Sequence, residues 1–364
     1  MHRAVLMGDP AHFSVQGGAN PHTRNWLGGR RRVNVRRAID QWHGLRHQLR
    51  DVGVRVIVVP PHPTQPGLVY PANAGFLTDV DAEKSLSQKT FYLSNLLPTR
   101  AGERNHYRQA LQYAGFRLGT IDERYRFEGE ADFFPVADRY LLTHGGIERQ
   151  RFVPTLGIPP WKRIYGFRTD ARIEPLLADF VKPRPVLRLE LALEAHYHGD
   201  TALCAFGPRR QHLLVFRRAL TDDAWERLSA EFAHAIVELS EEDAARYAAN
   251  SFTLTQGSDS LLFMPEGVSQ RLQDQVRERG VTPIPVDVSE FLKKGGGSVK
   301  CMIGDLGPVA DGELLGMSSK SGTSETPDSA TSAPGRSGAA SGRPGPSRTA
   351  ESASAYPRLS LGMK

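Results

Sequence analysis

The sequence predicts an α/β protein. Three observations carry that expectation: short apolar runs recur through residues 1–308, stretches with helical spacing lie between them, and neither all-β nor all-helical patterning persists. Neither a G-x-G-x-x-G after a strand nor a G-x-x-x-x-G-K-[ST] is present, so the common nucleotide-cradling loops find no support.

Taken in order, residues 4–7 and 54–59 read as strands. Between them, residues 36–51 read as a helix because Ile39, Trp42, Leu45 and Leu49 recur three or four apart, and Gly53 is a natural stop. The apolar run 202–206, which contains Cys204, and the run 213–216 read as strands. Thr221 is the expected N-cap of a helix over 222–235, and residues 240–250 form a further short helix. Strands at 261–264 and 282–286 complete the pattern.

The chain has 364 residues, 40% hydrophobic and 24% charged, which suits a folded, water-exposed protein. No run reaches the roughly 18–20 apolar residues of a membrane-spanning helix, and MHRAVLMGDP is too short an apolar run for a secretory leader. The expected location is the cytoplasm. Two cysteines, Cys204 and Cys301, are too few for a disulfide framework or a Cys-rich zinc site. A net charge of +6 from 46 basic and 40 acidic residues permits anionic partners without demanding them. A nucleic-acid-binding reading rests on Arg30, Arg31, Arg32, Arg36 and Arg37 and a pI near 9.4; without interleaved aromatics such a run is ordinarily a solvated face. Residues 317–355 contain no Ile, Leu, Val or aromatic residue, so residues 309–364 are expected to be a disordered tail and 1–308 the folded domain.

Three clusters carry chemistry: Phe127-Glu128-Gly129-Glu130-Ala131-Asp132, Tyr197-His198-Gly199-Asp200-Thr201, and Gly295-Gly296-Gly297-Ser298-Val299-Lys300-Cys301-Met302. Taken singly, a His is ordinarily satisfied structure, a carboxylate a solvated face and a Cys a small buried hydrophobe. The glycine run distinguishes Cys301, since glycines let a backbone pass close to a ligand. Cys204, in its apolar run, keeps the structural reading.

In this order the clusters resemble the FEGxGD, HxDT and GGGxxxC motifs of the guanidino-group-modifying enzymes: arginine deiminases, dimethylarginine hydrolases, amidinotransferases and, closest in pattern, the arginine dihydrolases. Further stretches extend the resemblance: Leu6-Met7-Gly8-Asp9-Pro10 followed by Asn20-Pro21, Gln41-Trp42-His43-Gly44-Leu45, Pro71-Ala72-Asn73-Ala74-Gly75, and Gly166-Phe167-Arg168 after an inserted-looking stretch at 143–164. The resemblance implies a pentein fold, a five-bladed propeller of ββαβ units in residues 1–308, although no repeat is visible in the sequence.

It also implies an enzyme, a hydrolase acting on the C–N bonds of arginine or an arginine-like guanidino compound. A guanidinium carbon is a poor electrophile, and a thiolate suits the attack better than an alcohol. Cys301 is the implied nucleophile, with the cationic substrate and Lys300 favouring its thiolate. His198 is the acid and base, Asp132 its orienting partner, and Asp200 and Glu128 the guanidinium acceptors. His198 and Asp200 are expected two apart on one strand face; His196 shares that alternation and is the rival base. Arg168 would meet a substrate carboxylate or be a surface charge. Asn20 and Asn73 resemble the asparagines of members that carry the reaction to ornithine, whereas members that stop at citrulline tend to carry an acid in the later loop. Four positions depart from the relatives: Gly67 for an Asp and Asn95 for an Arg, which puts free arginine in doubt, Glu130 for a small residue, and Gly199 for a Leu. Transfer of the amidino group to an amine uses the same residues and is the alternative. No cofactor or metal is implied, the partner is a small guanidino molecule, and the oligomeric state is left open.

Deleting residues 312–364 is expected to leave the thermal midpoint within about 2 °C of the full chain, because a segment so poor in apolar residues adds nothing to a core. Differential scanning calorimetry of the two proteins checks this.

Overall fold

One order of elements recurs five times. A strand pairs antiparallel with the next, a helix follows, and a third strand returns parallel to the second. The second unit runs Gly75–Leu77, Thr90–Leu93, helix Glu103–Tyr113, Arg117–Thr120. The third runs Phe133–Val136, Arg139–His144, helix Glu174–Val181, Val186–Glu190. The fourth is Leu203–Phe206, His212–Val215, helix Asp222–Phe232, Ile236–Glu238. The fifth is Phe252–Gln256, Asp259–Pro265, helix Gln270–Arg277, Thr282–Val286. The first unit is completed by the end of the fold: His2–Gly8 pairs parallel with Arg55–Val59 across helix Val35–Asp51 and antiparallel with Gly304–Val309.

These elements belong to a computed structural model that describes residues 2–15, 20–23, 31–147, 151–155 and 158–310. Residues 311–364, nearly all of the expected tail, lie outside the described residues. Val309, where the tail was expected to begin, instead pairs with His2 and is buried. No helix among the described residues is long and apolar enough to cross a membrane.

Gly53 and Thr221 act as anticipated in the first and fourth units, and Asn34 adds a cap that the sequence reading did not name. Asn34 accepts the Arg37 N–H at 3.1 Å and starts the first helix, which buries Ala38, Trp42, Leu45 and Leu49 along one face. Gly53 closes it at φ +78°, a left-handed conformation that costs glycine little. Thr221 accepts the Ala224 N–H at 3.3 Å, and the helix it caps buries Ala224, Leu228 and Phe232.

Two helix expectations are corrected, and the inserted-looking stretch is accounted for. The helix expected over 222–235 ends at Phe232 and continues as a 3-10 turn, Ala233–Ala235. The helix expected over 240–250 spans only Glu241–Ala245; Tyr247 adopts φ +58°, which no α-helix accommodates, and Asn250 is released into a turn. The stretch 143–164 holds a separate hairpin, Arg151–Thr155 with Ile158–Ile164, set between the second strand and the helix of the third unit.

Candidate active site

The turn that precedes the first strand of each unit carries a polar residue of the candidate site. Asn73 ends the 3-10 turn Pro71–Asn73 before Gly75–Leu77. Asp132 follows the turn Gly129–Ala131 before Phe133–Val136, and His198 opens the turn Gly199–Thr201 before Leu203–Phe206. Asn250 and Cys301 precede Phe252–Gln256 and Gly304–Val309 in the same way. His198 and Asp200 therefore do not lie on a strand as expected; the 3-10 turn, not a β alternation, sets their directions.

Asp132 is buried, with all four hydrogen bonds of its carboxylate supplied by three other segments. Oδ1 accepts from Gly199 N at 2.9 Å and Thr143 Oγ1 at 2.8 Å; Oδ2 accepts from Thr169 Oγ1 at 2.7 Å and faces His198 Nδ1 at 3.0 Å. Gly199 is required by this packing, since a Cβ there would lie 2.1 Å from Thr143 Oγ1. With Nδ1 held, Nε2 of His198 sits 3.2 Å from Glu128 Oε2 and 3.3 Å from Asn73 Nδ2. Arg100 Nη1 donates to Asn73 Oδ1 at 2.9 Å, which turns the amide N–H side toward the imidazole. A protonated Nε2 donates to Glu128, whereas a neutral one accepts from Asn73, so both forms of the ring are supported.

Burial opposes charge on His198, but the carboxylates of Asp132 and Glu128 prevail and raise it to about 9. Against its own burial, Glu128 is lowered to about 2 by the imidazolium and by Arg100. His196, the rival base, is turned away: its Nδ1 is 2.9 Å from Thr201 O, its ring packs on Phe216 and Tyr247, and burial lowers it to about 4.

Asn250 holds the cysteine. Its Oδ1 accepts from Ser298 N at 2.9 Å and Cys301 N at 3.1 Å, while Nδ2 lies 3.1 Å from both Cys301 Sγ and Asp200 O. Sγ is 3.5 Å from Asp200 Oδ2, and Asp200 Oδ1 has no hydrogen-bond partner among the described residues. Burial and this carboxylate push the Cys301 thiol well above its ordinary value; burial raises Asp200 to about 6. The glycine run fits where side chains could not: a Cβ on Gly295 would lie 1.9 Å from Tyr70 Oη, and one on Gly297 2.9 Å from Cys301 Cβ.

Cys301, His198, Glu128, Asn73, Asn20 and Arg168 line one pocket. Arg168 is buried there, its guanidinium 5.0 Å from the Tyr197 ring centroid, so the surface-charge reading falls. Asn20 braces the glycine run, donating through Nδ2 to Gly295 O at 2.9 Å and to Tyr197 Oη at 3.1 Å. Lys300 points to Glu130 at 2.9 Å, not to the Cys301 sulfur. Glu130 also accepts the Asp305 N–H at 2.7 Å, which explains a second departure structurally. Asn95 is outside the pocket lining; it donates to the carbonyls of Ile121, Asp122 and Tyr125. Among the described residues, no group of three or more His, Cys, Asp or Glu is placed to hold a metal ion.

Sequence reading missed Asn250, Arg100 and Glu103. The signal for Asn250 was positional: like Asn73, it stands two residues before the first strand of its unit. Arg100 and Glu103 belong to none of the motifs that drew attention in the sequence.

The chain is similar to several known proteins. The signature described as N,N dimethylarginine dimethylhydrolase, eukaryotic, matches residues 213–307. The chain is 31% identical over 306 residues to N(G),N(G)-dimethylarginine dimethylaminohydrolase of Mycobacterium tuberculosis, covering 84% of this chain and 86% of that protein. It is 27% identical over 301 residues to the bifunctional arginine dihydrolase/ornithine cyclodeaminase AgrE of Nostoc, covering 82% of this chain but 37% of that protein. The product-bound N-terminal domain of ArgZ, a cyanobacterial arginine dihydrolase, superposes with a TM-score of 0.69 at 22% identity, covering 84% of this chain and 98% of that one; this is a likeness of fold.

The raised His198 has a signed consequence. Its ordinary value is about 6.5, so its contribution to stability is complete below about pH 6.5 and is lost as pH rises through about 9. Histidine ring NMR is expected to contain one signal titrating near 9, absent from His198→Asn, and that variant should have a shallower fall in unfolding free energy between about pH 7 and 9.

Proposed function

Because the chain belongs to the dimethylarginine dimethylaminohydrolase family, we propose that it is a cysteine-dependent hydrolase of guanidino compounds. The observation that carries this reading is the convergence of Cys301, anchored by Asn250, and His198, anchored by Asp132, on one pocket. The five recurring three-stranded sheets support a five-bladed propeller with the pocket at its centre, since equivalent turns from all five units supply the polar residues.

In this reading the guanidinium enters between Asp200 and Glu128. Its positive charge beside Sγ reverses the field that keeps the thiol protonated, so the thiol proton passes to solvent and the thiolate forms; the proton returns to Sγ when the ureido product is released. Sulfur bonds to the guanidinium carbon; the carbon–nitrogen bond then breaks, and the leaving nitrogen departs as ammonia or an amine with a proton from His198. A covalent thiouronium remains on Cys301. Neutral His198, its Nε2 lone pair exposed, takes a proton from water as oxygen bonds to the same carbon, and the thiolate leaves. The product of this cycle is a ureido compound. Asn73 places a neutral amide beside His198, so a ureido group meets no unpaired acid at that position, which supports retention for a second hydrolysis.

Incubation with a panel of guanidino compounds, read by mass spectrometry and ammonia release without any amine present, tests the hydrolase against transfer to an amine. The ratio of ammonia to ureido product measures how far the reaction goes. Cys301→Ser is expected to lower turnover by more than about tenfold while leaving the thermal midpoint nearly unchanged, because an alcohol at neutral pH does not replace the thiolate. A variant retaining more than about one-tenth of the rate removes Cys301 from the nucleophile's place.

A further inference from the structure

Two ionic residues on the wall of the pocket occupy each other. Arg100 and Glu103 are joined twice, Nε to Oε1 at 2.9 Å and Nη2 to Oε2 at 2.7 Å. Other Arg100 donors go to Asn73 Oδ1 at 2.9 Å and Gly67 O at 3.2 Å, and Tyr107 Oη donates to Glu103 Oε2 at 3.3 Å. Gly67 gives this pair its room: a Cβ there would lie 2.2 Å from Glu103 Oε1 and 3.1 Å from Arg100 Nε. A carboxylate already gripped in this bidentate way has little left to offer a ligand's ammonium group.

The pocket is consequently lopsided in charge. Glu103 and Glu128 are the carboxylates among its described lining residues, and Glu128 is engaged by Leu97 N at 3.2 Å and by His198. Residues 16–19 and 24–30, which flank the lining residues Asn20 and Thr23 in the chain, contain no Asp or Glu. Arg168, by contrast, brings a buried cation to the same wall. A guanidino compound ending in a carboxylate finds a positive partner. One that carries an ammonium group beside that carboxylate places a second cation near Arg168 and Arg100 with no spare acid to receive it.

We propose that the preferred substrate is an ω-guanidino carboxylic acid without an α-ammonium group, its carboxylate held by Arg168 and its guanidinium at Cys301. This rests on the guanidino-hydrolase reading above and names the substrate class of that site.

The test compares kcat/KM of the full chain for β-guanidinopropanoate, γ-guanidinobutanoate, L-arginine, dimethyl-L-arginine and agmatine. The acids lacking an ammonium group are expected to exceed the two amino acids and agmatine by at least about tenfold, the scale on which a buried charge left unmatched discriminates. Equal or better turnover of either amino acid, or of agmatine, overturns the proposal. Arg168→Gln is expected to raise KM for the acids by at least about tenfold with a smaller change in kcat; an unchanged KM overturns the role of Arg168. A haloacetamidine, which needs the nucleophile but has no carboxylate tail, separates this from the parent reading. Labelling of Cys301 with no turnover of the acids overturns the substrate class alone; neither labelling nor turnover of any compound overturns the hydrolase itself.

Discussion

The carboxylate of Asp132 is the constraint on which the candidate site depends. It is buried, and a buried carboxylate left without partners would cost several kcal/mol. Its four hydrogen bonds come from Thr143, Thr169, His198 and Gly199, which lie on three separate segments. Satisfying that one group therefore fixes where the second strand of the third unit, the loop carrying Arg168, and the His198 turn meet. The imidazole inherits its direction from the arrangement, and Nε2 faces the pocket because Nδ1 has no other place to go.

Asn250 plays the corresponding part for the sulfur. One side chain receives two N–H groups from the loop 298–301 and directs its own N–H atoms at Sγ and at Asp200 O. The thiol is thereby aimed at the pocket while burial and Asp200 hold its proton in place. A thiol held protonated is protected from adventitious oxidation and alkylation, which require the thiolate. The same burial makes the electrostatic effect of any charge placed beside it large.

One of the expected departures, Gly67, shapes the pocket wall through its neighbours. Absence of a side chain at Gly67 admits Glu103, Glu103 fixes Arg100, and Arg100 orients the amide of Asn73 beside His198. The charge balance of the pocket wall and the hydrogen bond offered to His198 are thus parts of one structure. Gly199 and Glu130 are explained similarly by their neighbours, the first by the nearness of Thr143 and the second by Lys300 and the Asp305 N–H.

Local chemistry was sufficient wherever the physical cause is local. The spacing of Trp42, Leu45 and Leu49 and the cap Thr221 specify helices because i to i+3 and i to i+4 neighbours and one capping bond are short-range matters. Cys301, His198, Glu128, Asp132 and Asp200 were legible as well, from motifs in which the reactive groups sit beside the glycines that give them space. The repeat was not, because each sheet has only three short strands, the first unit is split between the two ends of the fold, and the third is interrupted by a hairpin. Asn250 stayed hidden for a related reason: its partners Asp200 and Cys301 lie 50 and 51 residues away. Arg100 and Glu103 are only three residues apart, but the contact that ties the pair to the pocket is with Asn73, 27 residues from Arg100. Sequence alone determined which chemical groups were available; tertiary structure decided which of them meet, since burial and long-range hydrogen bonding exist only once the units have packed together.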